Sequence, residues 1–154
     1  MHFILRSFTE LSPTELYAVL RLRQEVFIVE QNCPYLDCDD KDQAAWHLLY
    51  KNDNHELVAY CRILPPFSAY PNDVSIGRVL SSASARNTGA GRKLMAHAME
   101  IIPNLFPQNA TEPLCIRISA QTYLLGFYES FGFASTGKQY LEDDIPHTEM
   151  VFKY

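Results

Sequence analysis

Hydrophobic positions along the chain fall into short alternating runs separated by helical stripes, the pattern of a sheet with helices packed on it. His2 to Phe8 alternates as an opening strand. Ser12-Pro13-Thr14-Glu15 reads as a helix start, with a serine cap, a proline at the first helical position and a glutamate at capping-box spacing. Leu16, Val19, Leu20, Val26 and Phe27 then recur at helical spacing and predict an amphipathic helix to about Val29, with Arg21, Arg23 and Glu25 on its wetter flanks. Strands are expected over 44–51 and 56–64, turned into a hairpin by Asn52-Asp53-Asn54-His55. Trp46 and Tyr50 fall on one face of the first, His47 and Leu49 on the other. Pro65-Pro66 ends the hairpin and opens a loop to Asn72.

Val74 to Leu80 is the next strand, and Gly77 inside it marks a bulge or a close approach by backbone or ligand. Leu94, Ala98 and Ile101 give the apolar stripe of a helix over 92–102, which Pro103 closes, and Pro107 and Pro113 bracket a surface loop. A short central strand over 114–119 precedes a final helix over 121–131. There Leu124, Phe127, Tyr128 and Phe131 share a face and Gly132 serves as a left-handed cap. Strand character resumes from Phe133 to Tyr140, Glu142-Asp143-Asp144 forms a polar turn, and Met150-Val151-Phe152 closes the chain. The order is strand, helix, two or three strands, helix, strand, helix, two strands: one mixed α/β sheet with helices on its faces.

A length of 154 residues suits one domain with a core of its own. The net charge of −5 argues against a nucleic-acid partner, which a basic surface would serve, and leaves small cationic substrates open. No run reaches the length of a membrane span, and Met1 to Arg6 lacks the basic start and apolar core of a signal peptide, so a soluble cytoplasmic protein is expected. Cys33, Cys38, Cys61 and Cys115 show neither CxxC spacing nor a histidine cluster; they read as reduced thiols, with no metal site.

Candidate chemistry concentrates first in Arg86-Asn87-Thr88-Gly89-Ala90-Gly91, between a strand and a helix. Two glycines one residue apart let the backbone turn sharply and approach a ligand, and the helix start behind them aims free N–H groups at an anion such as a pyrophosphate. A tight turn that needs glycine is the plainer alternative. The stretch from Glu30 to Asp42 carries five acidic residues and one lysine. It reads as a solvated acidic loop or as a funnel for an amine. Calcium is disfavoured because Asp37-Cys38-Asp39-Asp40-Lys41-Asp42 lacks the spacing and glycine of an EF-hand. His47 reads as a structural histidine or a base, His147 as a loop histidine or a base.

The glycine-rich turn after Val74–Leu80 resembles the acetyl-CoA motif of the GNAT N-acetyltransferases, Arg/Gln-x-x-Gly-x-Gly/Ala. Gln121 with Phe127-Tyr128-Glu129-Ser130-Phe131-Gly132-Phe133 resembles the family's second motif. Phe27-Ile28-Val29-Glu30-Gln31, Asp39 to Asp42, Ile76-Gly77-Arg78-Val79 and Asp144-Ile145-Pro146-His147 resemble the ElaA-like branch, so the likeness covers nearly the whole chain. It implies a central mixed, mostly antiparallel sheet flanked by helices on both faces.

It also implies acetyl-CoA as the acetyl donor. Val79, Leu80 and Ser81 would pair with its pantetheine arm, and the amides of Asn87, Thr88, Gly89, Ala90, Gly91 and Arg92 would hold its pyrophosphate, braced by Arg86. Gln121 would contact the donor where the family usually has asparagine. Tyr128 would protonate the departing thiolate. Where some relatives place a glutamate base, this chain has Ile116, which leaves Glu30, Asp39, His47 and His147 as the candidate bases, directly or through water, and as the residues that would bind the acceptor.

The implied reaction is direct transfer, in a ternary complex, to the primary amine of a small cationic acceptor such as a polyamine, aminosugar, antibiotic or lysine-bearing peptide. A CoA- or metabolite-binding module without turnover, and an acyltransferase using a different acyl-CoA, are the alternatives. The fold would act as a monomer or as a homodimer through its sheet edge or final strands.

Overall fold

The structure is a computed structural model and describes residues 2–107 and 113–154. Most of the loop expected between Pro107 and Pro113 lies outside the described residues. Seven strands form one sheet: β1 His2–Ser7, β2 Trp46–Lys51, β3 Leu57–Leu64, β4 Val74–Ser81, β5 Cys115–Gln121, β6 Ala134–Glu142 and β7 Ile145–Lys153. Their spatial order is β1-β2-β3-β4-β5-β7-β6. Each neighbouring pair is antiparallel except β4 and β5, which run parallel. Helices cover both faces, so the mixed, mostly antiparallel architecture expected from the sequence is the one observed.

The first helix, α1 Pro13–Arg23, begins at the predicted capping box: Glu15 N donates to Ser12 Oγ at 3.2 Å, and Ser12 N donates to the Glu15 carboxylate at 3.1 Å. It continues as a π-helical segment, Gln24–Glu30, a winding that often marks functional sites. Val19, Leu22 and Val26 pack on Leu49, Tyr60 and Leu80 on one face of the sheet. The second helix, α2 Ala90–Leu105, covers the other face, burying Leu94, Met95, Ala98 and Ile102 against Leu48, Cys61, Ile63, Ile76 and Ile116.

Three sequence expectations need correction. Pro103 does not close α2, which runs on to Leu105. Proline removes the hydrogen bond that Met99 O would accept four residues back, and the Tyr154 hydroxyl donates to that carbonyl instead. The final helix is shorter than 121–131. Gln121 ends β5, paired with His147, and a single 3₁₀ turn leads into α3 Leu125–Glu129. Gly132 (φ +88°) does cap it, with Phe133 N donating back to Tyr128 O, and a Cβ there would meet the Phe152 ring at 3.2 Å.

The third correction is Arg23, which is 0% exposed rather than on a wet flank. It occupies the apolar stripe of α1, four residues after Val19 and three before Val26, and donates to Asp37 at 2.7 Å and to Asp42 at 2.9 Å. Removing one member of a buried ion pair strands the other, so Arg23→Ala is expected to cost about 3–5 kcal/mol. Arg21→Ala, which loses only a surface pair with Glu25, should cost about 0.3–0.5 kcal/mol. Urea unfolding of the two variants checks this; equal costs would contradict the buried assignment.

Candidate active site

Only Val74–Ile116 and Ser75–Arg117 pair across the parallel β4–β5 seam, and beyond them the strands part. The cause lies on the other side of β4. Cys61 of β3 faces two residues, Arg78 and Val79, because the register steps from Arg62–Gly77 to Tyr60–Leu80. This is a β-bulge, next to the glycine that forecast it, and a bulge bends and twists its strand. Arg78 takes φ +53°, a conformation that disfavours side chains. Its guanidinium is held there by Asp37 Oδ1 at 2.7 Å, by Asp37 O at 3.1 Å and over the Tyr35 ring at 5.7 Å.

A cleft of about 320 Å³ opens where the strands part. Gly77, Arg78 and Val79 line one wall, Ser119 and Gln121 the other, and Tyr128 is also among its lining residues. Leu80 and Ser81 pair with Tyr60 and Ala59 of β3, so the β5-facing backbone groups of this half of β4 have no strand partner. An extended ligand could add there as a strand would.

The glycine-rich turn follows β4. Arg86 donates to both carboxylate oxygens of Glu30, at 2.5 and 2.7 Å, and Thr88 Oγ1 donates to Ala85 O. Gly89 (φ +81°) is the N-cap of α2, and its carbonyl accepts the helical bond from Lys93 N. The amides of Ala90, Gly91 and Arg92 therefore belong to the first turn, where a helix offers no acceptor of its own. A Cβ at Gly89 or Gly91 would meet nothing within 4 Å, so space lies open above the turn. Residues 83–92 include no carboxylate. Open amides, room and positive dipole fit a pyrophosphate. The Arg92 guanidinium donates to Ser130 Oγ and lies over the Phe131 ring, tying this turn to the segment after α3.

Tyr128 is buried among Phe127 and Phe133, and no group among the described residues hydrogen-bonds its hydroxyl. Burial raises its pKa far above the ordinary phenol value, so it stays protonated at neutral pH and has a proton to donate. Gln121 exchanges two amide hydrogen bonds with Gln31, at 3.2 and 3.3 Å. Gln31 follows Glu30, so adjacent residues grip the turn after β4 and the end of β5, bridging the mouth of the cleft.

The acidic stretch is not a funnel of free carboxylates. Asp37, Asp39 and Asp42 are matched by Arg23, Arg62 and Arg78 in one network, with Arg62 donating to Asp39 at 2.6 and 2.7 Å and to Asp42 at 2.8 Å. Burial opposes the ionisation of Asp39 and Asp42, but the arginine hydrogen bonds and charges outweigh it and hold both carboxyls below the usual range. Asp39 still lines the cleft; Glu30 is occupied by Arg86. His47 lies away from the cleft, 0% exposed, with Nε2 donating to Asp42 O and Nδ1 accepting from the Tyr60 hydroxyl. Desolvation lowers its pKa, so it is a neutral, fully partnered structural residue.

His147 does line the cleft. Its neighbours there, Ser119, Tyr140 and Glu142, were not singled out from sequence, although each pair 119/121 and 140/142 shares a strand face by simple alternation. Tyr140 donates to Ser119 Oγ, which donates to Glu142 Oε2 at 3.0 Å. Among the described residues no three His, Cys, Asp or Glu side chains converge as a metal would require, and no helix is long and apolar enough to cross a membrane.

Residues 28–154 match the family model described as an acetyltransferase (GNAT) domain. The protein ElaA of Escherichia coli is 43% identical over 93% of this chain and 90% of its own. A UPF0039 protein of Synechocystis sp. is 41% identical over 95% of this chain and 91% of its own. Among solved structures, an acyl-CoA N-acyltransferase from Pseudomonas aeruginosa superposes with a TM-score of 0.87 at 38% identity, covering 98% of this chain and 99% of that one. The E. coli ElaA structure gives 0.86 at the same identity, with the same two coverages.

The network also sets an acid limit. Carboxyls with depressed folded-state pKa values stabilise fully above the unfolded value, about 3.9 for aspartate, and lose that contribution as pH falls through the folded value. The network's contribution to the melting temperature should therefore hold from pH 7 to about pH 5 and drop below about pH 4. It comes on top of a separate decline that begins below about pH 6.5, where the unfolded chain protonates His47 and the folded one resists it. Asp39→Asn should start lower at pH 7 and fall less steeply; parallel curves for the two proteins would contradict the assignment.

Proposed function

We propose that this chain, which belongs to the GNAT acetyltransferase family and to its ElaA-like branch, transfers an acetyl group from acetyl-CoA directly to a primary amine of a small cationic acceptor. The observation that carries the reading is the unpaired edge of β4, which leads along the chain to the amide-rich turn at the start of α2 and borders a cleft lined by Tyr128, whose hydroxyl has no hydrogen-bond partner among the described residues.

The diphosphate of the donor would rest on the amides from Asn87 to Arg92, and its pantetheine arm would pair with β4 from Val79 to Ser81. That would put the thioester in the cleft. Backbone N–H groups of β4 would face the oxygen that gains charge as the amine attacks. Tyr128, kept protonated by burial, would donate to the sulfur as the carbon–sulfur bond breaks. None of the four cysteines lies in the turn or on α3, and Cys33, which does line the cleft, is 8% exposed with its thiol donating to Asp143 O, which favours a ternary complex over an acyl-enzyme.

Calorimetric titration with acetyl-CoA tests the donor site. Gly89→Glu puts a carboxylate and a disfavoured φ into the turn and should abolish binding; undiminished binding would contradict the assignment. Tyr128→Phe should leave acetyl-CoA affinity within about twofold while lowering kcat by about 10²-fold or more, read as thiol release with a panel of amines. An unchanged kcat would remove Tyr128 from the chemistry.

A further inference from the structure

We propose that His147 is the base that takes the acceptor's amine proton, at Nε2, and that Glu142 holds the cationic part of the same acceptor. The inference rests on the acyl-transfer reading and deepens it by assigning the acceptor side of the cleft to the β6–β7 hairpin instead of the acidic stretch over 30–42.

The position where a glutamate base might sit on β5 is closed to the cleft: Ile116 is 0% exposed in the core beneath α2. Several of the groups that do line the cleft are committed. The Tyr35 hydroxyl donates to Asp37, Asp39 is pinned by Arg62, and the Tyr140 hydroxyl donates to Ser119. His147 differs. It is 8% exposed, and Nδ1 lies 2.8 Å from Ile145 O. A carbonyl oxygen can only accept, so Nδ1 carries the hydrogen and the neutral ring keeps its lone pair on Nε2. No group among the described residues meets Nε2. The ring is held in place by stacking on Tyr140, with centroids 6.1 Å apart and planes 15° off parallel. Pairing of His147 with Gln121 sets it across from the end of β5.

Charge supplies the second half. Glu142 and Asp143 both line the cleft, are exposed, and take part in no ion pair among the described residues, whereas the aspartates of the acidic stretch that line or border the cleft are neutralised by arginine. The hydrogen-bond chain from Tyr140 through Ser119 fixes Glu142 Oε2 on the wall that carries His147. An acceptor with an ammonium group a few bonds from its reacting nitrogen fits that pair.

The step balances. The neutral amine nitrogen bonds to the carbonyl carbon of the acyl-CoA thioester and gives its proton to His147 Nε2. The carbon–sulfur bond breaks, and the sulfur takes the Tyr128 proton. The imidazolium then returns a proton to the tyrosinate through solvent, leaving amide, free thiol and the starting enzyme.

Nitrogen-15 spectra of the histidine rings, recorded on the full chain with CoA and 1,4-diaminobutane, test the proposal without turnover. His147 should show the Nδ1–H tautomer and shift as the diamine is added, whereas His47 should show the Nε2–H tautomer and stay still. Glu142→Gln should weaken the diamine response by about tenfold, a loss of one charge contact. His147→Gln should lower kcat with the diamine by about 10²-fold or more at unchanged acetyl-CoA affinity. An Nε2–H tautomer at His147, no response to the diamine, or an unchanged kcat in His147→Gln would overturn the proposal. A responding His147 in a protein that binds no acetyl-CoA would fail the donor reading alone and leave the amine site standing.

Discussion

Asp37 is the residue through which the rest of the site is held in shape. One carboxylate reaches Arg23 on α1 and Arg78 on the β4 bulge, linking the helix on one face of the sheet to the strand irregularity beside it. Without those bonds Arg78 has little reason to keep φ +53°, and without the bulge β4 has less reason to leave β5 after two residue pairs. A buried ion network contributes little net stability over a well-packed apolar one. Here its consequence is geometric: it keeps two neighbouring parallel strands apart, and that gap is the cleft.

Different groups are exposed in turn. The helix start after β4 has open amides, β4 itself offers an unpaired backbone edge, and a protonated tyrosine is among the residues that line the cleft beside it. On the wall formed by β5, β6 and β7 stands a polar row of Ser119, Tyr140, Glu142 and His147. Glu30 and Gln31 reach over the gap to Arg86 and Gln121, so the π-helical extension of α1 is tied to both arms. A direct transfer needs donor and acceptor approaching a common point from different sides, and these two walls differ in chemistry in that sense.

Much of this was legible in the chain. Capping at Ser12, the hairpin over 46–64, the strand–turn–helix around Gly89 and the left-handed cap at Gly132 depend on neighbours in sequence, and local rules recover them. Gly77 announced the bulge to within a residue. What local rules misjudged were long-range pairings. Arg23 looked like a surface charge because its partners lie 14 and 19 residues away, although its place in the stripe of Val19 and Val26 was a signal. Pro103 looked like a helix end because the hydroxyl that satisfies Met99 comes from Tyr154. The acidic stretch looked free because Arg62 and Arg78 reach it from other strands. The row at Ser119, Tyr140 and Glu142 exists only once β5, β7 and β6 are side by side, an order that no single segment encodes.

In the proposed function the parting of β4 from β5 is a slot for an acyl-CoA. A crystal structure of the protein grown with CoA tests it most directly. Diphosphate density is expected over the amides of 87–92, with the pantetheine arm paired along β4 past Ser75 and the sulfur within hydrogen-bond reach of the Tyr128 hydroxyl, about 3 Å. Density for CoA elsewhere, or β4 and β5 zipped together beyond Ser75 with the turn empty, would contradict it.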